Sequence, residues 1–215
     1  VDTIICPSKA TLRSIETFRF YNEEQVRFKV IPNGVLPDSH FPSINGEKIF
    51  SIDKVKGQFN FAIIGRLEPY KGHEDIIHAL SLMDSNIISK LKIYIIGKKS
   101  KPFYLNLQTK VDHYGLNDKI IFTGYIDEDI NKIISQFDGI ISATRSFEGF
   151  GLTIAEALNQ GVPVIATKVG AVPEIFNNDV VQLIEPNSPS EIRAAIITFM
   201  NNRKRYQDEA VRGQE

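Results

Sequence analysis

The sequence predicts an α/β fold, a doubly wound parallel sheet with helices on both faces. From about residue 59 onward, short β-branched runs alternate with helical patterns, which indicates βαβ units. The strand runs are almost continuously apolar, as expected for strands that are covered on both faces. With 215 residues, 42% of them hydrophobic, the chain is long enough for one well-buried domain, or for one domain and part of another.

The predicted elements of this sheet follow one another in a regular order. Strands are expected at 59–64, 91–96, 119–122, 139–142, 162–166 and 180–184. Helices are expected at 74–83, 103–114, 129–137, 152–160 and 173–176, with a last one from 190 to about 205. Because ligands in open α/β sheets bind beyond the carboxyl ends of the strands, we expect chemistry in the loops that follow the strands.

The first part of the chain has a different pattern. Its expected order is a strand over 2–7, a helix from 9 to about 20, a strand over 26–31 and a connection over 36–58. Ser8 is the predicted N-cap of the helix, and the second strand ends at the Pro32-Asn33-Gly34 turn. Since Val1 stands within an apparent strand in place of an initiator methionine, we expect the chain to be a piece of a longer protein.

Composition and charge exclude several classes of function. The formal net charge is −1 and the pI about 6.5, so no field of the whole chain attracts nucleic acid or an anionic membrane. No apolar run approaches the roughly 20 residues of a membrane-spanning helix. Cys6 is the only cysteine, which excludes an internal disulfide and a thiolate metal cluster. A single cysteine suits a reducing compartment, and the cytoplasm is the expected location.

The first candidate site follows the strand at 59–64. Its loop reads Gly65-Arg66-Leu67-Glu68-Pro69-Tyr70-Lys71-Gly72. A guanidinium and an ammonium at one strand end, here Arg66 and Lys71, can flank a diphosphate. The alternative interpretation is that both are solvated loop charges, which are common on protein surfaces.

The second candidate site follows the strand at 139–142 and runs from Ser146 to Glu156. Gly149 and Gly151 let the backbone approach a ligand closely, and the start of the next helix presents unpaired N–H groups to an anion. We expect Glu148 in the loop and Glu156 about one turn inside the helix to accept hydrogen bonds from sugar and ribose hydroxyls. Alternatively, Glu148 only favours the helix N-terminus and Glu156 is exposed.

Other motifs do not carry a site by themselves. The run from Gly161 to Thr167 followed by Gly170-Ala171-Val172-Pro173-Glu174 is structural when taken alone, with Pro173 at a first helical position. The dinucleotide fingerprint G-x-G-x-x-G is missing, and Gly97-Lys98-Lys99-Ser100 lacks the upstream glycine of a phosphate loop. The histidines do not form H-E-x-x-H, and no metal is predicted.

Taken together, these motifs resemble the retaining glycosyltransferases of family 4, which have the GT-B fold. The resemblance rests on Gly65-Arg66-Leu67 with Lys71-Gly72, Glu148-Gly149-Phe150-Gly151-Leu152 with Glu156-Ala157, Gly161-Val162-Pro163-Val164-Ile165-Ala166, and Pro173-Glu174. It covers roughly residues 1 to 200, and Ile31-Pro32-Asn33-Gly34-Val35 is similar to the family's loop into the second domain. It implies one Rossmann-like half of a GT-B fold, with 1–35 as the end of the N-terminal acceptor domain and the interdomain connection, and 36–215 as the C-terminal nucleotide-sugar-binding domain.

The resemblance also implies roles for individual residues. The diphosphate of a UDP- or GDP-sugar would be bound by Arg66 and Lys71, the sugar hydroxyls by Glu148 and the ribose by Glu156, with no metal or other cofactor. The implied mechanism is front-face transfer with retention, in which Arg66, Lys71 and the helix dipole supply much of the catalysis by stabilising the leaving group. It would need no side-chain nucleophile. Catalytic roles therefore fall to Glu148, Arg66 and Lys71, and donor binding to Gly65, Tyr125, Gly149, Phe150, Gly151, Leu152, Thr153 and Glu156.

The implied partners are a nucleotide sugar and an acceptor glycan or lipid-linked sugar, the latter bound by the missing N-terminal domain. Nucleic acid and a transmembrane segment are not expected. The function would belong to polysaccharide biosynthesis, and the fragment alone would be inactive. The expected location is the cytoplasm, with a peripheral position at the inner face of the membrane as the alternative.

Two departures and two alternatives accompany this resemblance. Ala171 stands where the family often has a second glycine, and Gly97-Lys98-Lys99 replaces the family's common glycine-pair loop. Another GT-B enzyme, such as a sugar-nucleotide epimerase or a phosphorylase, would need acid–base residues or a cofactor lysine for which the sequence has no clear candidate. The remaining alternative is a non-catalytic nucleotide-sugar-binding or partner module.

Overall fold

The structure is a computed structural model that describes residues 3–18, 26–35 and 50–213. The first part of the connection predicted over 36–58 lies outside these ranges, as do the predicted start of the first strand at Asp2 and the end of the first helix beyond Phe18. Within them the chain forms a two-stranded and a six-stranded sheet. The strands are β1 (Thr3–Cys6), β2 (Arg27–Val30), β3 (Phe59–Ile64), β4 (Leu91–Ile96), β5 (Ile120–Gly124), β6 (Gly139–Ser142), β7 (Val164–Thr167) and β8 (Val181–Ile184).

The larger sheet has the order β5-β4-β3-β6-β7-β8, and all of its strands are parallel. The order reverses direction between β3 and β6, where Phe61 pairs with Gly139 and Ala62 with Ile140. In doubly wound sheets this reversal opens a crevice at the carboxyl ends of the two strands. The predicted fold class is confirmed.

Helices connect the strands and cover both faces. They are α1 (Lys9–Phe18), α2 (His73–Ser81), α3 (Ser85–Ile88), α4 (Lys101–His113), α5 (Ile130–Ile134), α6 (Leu152–Asn159), α7 (Val172–Ile175), α8 (Pro189–Asn201) and α9 (Arg203–Arg212), with a short 3-10 helix over Pro69–Lys71. The predicted last helix is in fact two, because the backbone leaves the helical conformation at Asn202. Pro173 occupies the second helical position of α7, since that helix begins at Val172.

The core divides into two layers, one on each face of the larger sheet. Successive residues of β3 alternate between them, with Phe61 and Ile63 in one layer and Ala62 in the other. The first layer includes apolar residues of α2, α4 and α8, and the second includes those of α5, α6 and α9. The ring of Phe61 meets that of Phe199 edge-on at 5.0 Å, which ties α8 to the central strand.

The smaller sheet pairs β1 with β2 in parallel, and α1 connects them. Ser8 caps α1 as predicted, because its Oγ accepts a hydrogen bond from the amide of Thr11 at 3.0 Å. The amides of Lys9 and Ala10 donate to the carboxylate of Glu174 at 2.7 and 3.0 Å. A side chain of α7 thus satisfies the N-terminus of α1, and this fixes α1 against the larger sheet.

Candidate functional site

A cavity of about 380 Å³ lies at the carboxyl ends of β3 and β6, where the order of the strands reverses. Both candidate loops are predicted at this edge of the sheet, and residues of both line the cavity. The lining residues are Pro7, Asn33, Ile63, Ile64, Gly65, Lys71, His73, Ile141, Ser142, Ala143, Thr144, Glu148, Gly149, Phe150, Gly151, Leu152, Thr153 and Ile154.

Lys71 and Glu148, one from each loop, form an ion pair in the lining of this cavity. Lys71 Nζ lies 2.9 Å from Glu148 Oε2, with 26% and 19% of the two side chains exposed. Lys71 is held by the 3-10 helix, and Gly72 then enters α2 in the left-handed conformation with a φ of 74°. A β-carbon at residue 72 would lie 1.9 Å from the carbonyl oxygen of Ala143, so only glycine lets the two loops approach this closely.

The N-terminus of α6 faces the same cavity. Gly151 is the N-cap residue, with a φ of 91°, and no side chain caps the helix. The amide donors of Leu152 and Thr153 are therefore not used by a capping side chain, and they lie at the positive end of the helix dipole in the cavity that Lys71 also lines. This arrangement is suited to an anion.

Three of the predicted site residues do not line the cavity. Arg66 is exposed, and its Nη2 lies 3.3 Å from the hydroxyl of Tyr70. Tyr125, after β5, is 72% exposed, and its hydroxyl lies 3.4 Å from Asp127 Oδ1. Glu156 is half-buried within α6, and burial raises the pKa of its carboxyl.

The main chain around Glu148 is supported from two sides. The carbonyl of Gly149 accepts hydrogen bonds from the hydroxyls of Ser8 and Thr11, at 2.8 and 3.0 Å. The carbonyl of Glu148 accepts from the amide of Ala171 at 2.8 Å. Ala171 has a φ of −82°, a conformation open to any residue, so alanine is compatible with this turn even though the family often has glycine there.

His73 is a cavity residue that the sequence analysis missed. It is fully buried at the start of α2, and neither ring nitrogen has a hydrogen-bond partner among the described residues. The pKa of His73 is lowered from 6.5 to about 4, mainly by burial; the nearby Glu68 backbone opposes this shift, and the charges of Lys71 and Arg145 contribute to it. The only signal in the sequence is that His73 directly follows the Lys71-Gly72 pair.

Within the described ranges, no helix has the length and apolar character needed to cross a bilayer.

Comparison with known proteins identifies the family. The family described as "Glycosyl transferases group 1" matches residues 45–214. The O-antigen chain mannosyltransferase C of Escherichia coli is 27% identical over 207 residues, which cover 94% of this chain and 52% of the relative. The chain therefore spans about half the length of that curated relative.

Solved structures resemble the chain as well. The C-terminal domain of the glycosyl transferase group 1 protein LpcC from Francisella tularensis is 30% identical, with a TM-score of 0.66 over 74% of this chain and 83% of that one. A structure of HepE from Anabaena, solved in complex with UDP and glucose, has a TM-score of 0.80 and 21% identity over 100% of this chain and 57% of that one. The cavity lined by the two loops lies where the order of the strands reverses. Because the family match covers most of its length, the chain belongs to the glycosyl transferases group 1.

Proposed function

We propose that the chain is the donor-binding part of a retaining, family 4 glycosyltransferase that moves a hexose from UDP or GDP to an acceptor glycan or lipid-linked acceptor. In this proposal residues 36–215 form the C-terminal donor domain, and 1–35 are the end of the acceptor domain and the connection. The observation that carries it is the Lys71–Glu148 pair at the uncapped N-terminus of α6.

The diphosphate would occupy the space between Lys71 and the start of α6. Lys71 is now neutralised by Glu148 at 2.9 Å, and a diphosphate would offer it more negative charge at the same place. The amides of Leu152 and Thr153 would donate to phosphate oxygens, with Gly149 and Gly151 keeping the approach open. Arg66 would exchange its exposed contact with the Tyr70 hydroxyl, at 3.3 Å, for the diphosphate, because a charged acceptor forms the stronger hydrogen bond.

The two glutamates would bind the sugars. Released from Lys71, Glu148 would accept hydrogen bonds from hydroxyls of the transferred hexose, because it already lines the cavity. Glu156 makes no side-chain hydrogen bond or ion pair to another described residue, and burial raises the pKa of its carboxyl. A pair of ribose hydroxyls would supply the partners that this half-buried group lacks. Tyr125 would pack near the base, and Gly65 and Phe150 would complete the wall.

The proposed reaction proceeds on one face of the sugar. The bond from C1 to the phosphate oxygen breaks, the acceptor oxygen bonds to C1 from the same side, and the acceptor's proton passes to the leaving phosphate. Lys71, Arg66 and the helix dipole would stabilise the charge that develops on the phosphate. The proposal includes no side-chain nucleophile and no metal. Its acceptor would be bound by an N-terminal acceptor domain, so we expect this chain alone to bind donor without transferring sugar.

Relatives support the choice of substrate class. The related HepE structures were solved with UDP and glucose and with UDP-glucose, and the E. coli relative is named a mannosyltransferase that acts on an O-antigen chain. The proposed role is in polysaccharide biosynthesis, which rests on this analogy. The proposed location is the cytoplasm, where a lipid-linked acceptor would be met at the inner face of the membrane.

The test is calorimetric binding of UDP, GDP, ADP and their common sugar conjugates to the chain. We expect one nucleotide to bind, and the Arg66→Ala, Lys71→Ala double variant to lose that binding. Lys90→Ala removes an exposed lysine away from the cavity and serves as the control of equal chemistry. Full binding by the double variant would refute the assigned diphosphate site, and absence of binding by the wild type would refute donor binding by this chain.

A further inference from the structure

Arg145 lies in the same loop as Glu148, between β6 and α6, but it does not line the cavity. Its Nε and Nη2 donate to the two carboxylate oxygens of Asp75 at 2.7 and 2.8 Å. Its Nη1 donates to Glu74 at 3.1 Å. The Arg145 side chain is 26% exposed and that of Asp75 is 11% exposed, so the fork is largely shielded from water. Planar, bidentate pairs of this kind have a fixed geometry that a single lysine contact lacks.

The main chain of Arg145 is fixed as well. Its amide donates to the carbonyl of Tyr70 at 2.7 Å, and Tyr70 directly precedes Lys71. Its carbonyl accepts from the side-chain amide of Asn187 at 3.5 Å. Arg145 is thus connected through both backbone and side chain to the segment that carries Lys71, and it is three residues from Glu148.

These contacts link the Lys71 segment to the Glu148 loop at two places, one in the cavity lining and one outside it. The first is the Lys71–Glu148 pair, and the second is the Arg145–Asp75 pair, with four residues from Lys71 to Asp75 and three from Arg145 to Glu148. The two pairs join the same two loops. Since Arg145 already contacts two carboxylates, it is not available to bind a ligand's phosphate.

We propose that Arg145 is a positioning residue, which through its fork with Asp75 sets the separation of the Lys71 and Glu148 loops and so the width of the donor site. That the ligand of this site is a sugar donor rests on the proposed function, whereas the effect of the fork on the separation of the two loops does not. It assigns the pair a task beyond stability, because a shift of about 1 Å between two binding groups can reduce function by roughly a hundred-fold.

The Asp75→Asn variant separates the effect of charge from the effect of loop position, because the two predict opposite changes in nucleotide affinity. Removing a carboxylate makes the site more positive, so attraction alone predicts tighter binding of UDP or GDP. Loss of position predicts weaker binding, by roughly ten- to a hundred-fold. Arg145→Lys should weaken binding nearly as much as Arg145→Met, because the lysine keeps the charge and loses the fork. Glu185→Gln, which removes the exposed pair of Lys168 and Glu185, is the matched control and should leave affinity unchanged.

Affinity is measured well below each variant's melting temperature, so that a purely stabilising role would leave the affinity of the folded protein unchanged. Equal or tighter nucleotide binding by Asp75→Asn would overturn the proposal.

Amide NMR shifts of the ligand-free chain provide the second readout. We expect Asp75→Asn to move the amide signals of Lys71, Gly149 and Gly151, and a change confined to the first turn of α2 would overturn the proposal. This readout decides the positioning role even if the wild type binds neither UDP nor GDP, an outcome that would count against the proposed function alone.

Discussion

Gly170 packs directly against the main chain of Glu148. A β-carbon at residue 170 would lie 2.2 Å from the Glu148 carbonyl oxygen and 2.6 Å from its amide nitrogen. Gly170 also has a φ of 56°, in the left-handed region that favours glycine. The turn before α7 therefore supports the loop whose carboxylate faces Lys71, and no side chain fits between them.

Gly170→Ala should displace the Glu148 loop and destabilise the chain by about 1 to 3 kcal/mol, because both the φ and the contact are unfavourable for alanine. Denaturant unfolding measures the loss. Gly115→Ala is the control: Gly115 has a φ of 65° with nothing within 4 Å of an added β-carbon, so it isolates the backbone cost. Equal losses in both variants would mean that the Gly170 contact is easily relieved.

Glu148→Gln should separate binding of the nucleotide from binding of the sugar. The variant releases Lys71 from its ion pair, so the bare nucleotide diphosphate should bind at least as tightly as to the wild type. The sugar conjugate should lose its advantage over the bare nucleotide, and turnover of the full-length enzyme should fall about a hundred-fold or more. Calorimetry and initial rates test this, with Glu68→Gln as a control outside the cavity lining. Wild-type turnover in Glu148→Gln would contradict the assigned role.

His73 should make stability depend on pH. Its folded-state pKa of about 4 lies below the ordinary 6.5, so between these values the unfolded chain binds a proton that the folded chain does not. Stability is therefore full above pH 6.5 and falls as the pH is lowered toward 4, by on the order of 2 kcal/mol between pH 7 and 4.5. His73→Leu should remove this part of the slope, whereas His78→Leu, on the exposed side of the same helix, should keep it. Parallel slopes for wild type and His73→Leu in urea unfolding would exclude His73 as the source.

Glu174→Ala should free the N-terminus of α1. The amides of Lys9 and Ala10 lose their acceptor, and loss of such a cap costs about 1 kcal/mol. Hydrogen exchange at these two amides should become faster, with little change in β3. Glu185→Ala, which removes an exposed carboxylate, should leave the exchange of both amides as it is. Unchanged exchange in Glu174→Ala would mean that other contacts hold α1.

Much of the fold could be predicted because apolar runs and glycine-containing turns recur at regular intervals. The predicted strands at 59–64, 91–96 and 139–142 agree with β3, β4 and β6 to the residue. The break at Asn202 could not be predicted, because apolar residues such as Phe199 and Tyr206 continue on both sides of it and pack together. The pattern of apolar residues alone does not show that the chain changes direction between α8 and α9.

The position of the candidate site could be predicted from the sequence because the ends of the strands could be predicted. Lys71 and Glu148 both follow strands, and parallel strands bring their carboxyl ends to one edge. Arg66 is also in the first loop, yet its side chain points to Tyr70, because a long exposed side chain takes its direction from nearby partners. His73 and Arg145 were missed, since burial of the first and the fork of the second depend on residues distant in sequence.

The order of the strands divides the larger sheet into two halves, each formed by a continuous stretch of the chain. The half that contains β3, β4 and β5 carries Lys71, and the half that contains β6, β7 and β8 carries Glu148. The β3–β6 ladder, with its two residue pairs, joins them at the centre of the sheet. A cut at the exposed Asp127, in the loop between β5 and α5, would yield two polypeptides, neither of which contains the ion pair. Association of the two fragments would restore the ion pair. A ligand that binds between Lys71 and Glu148 would therefore favour the associated state of the fragments.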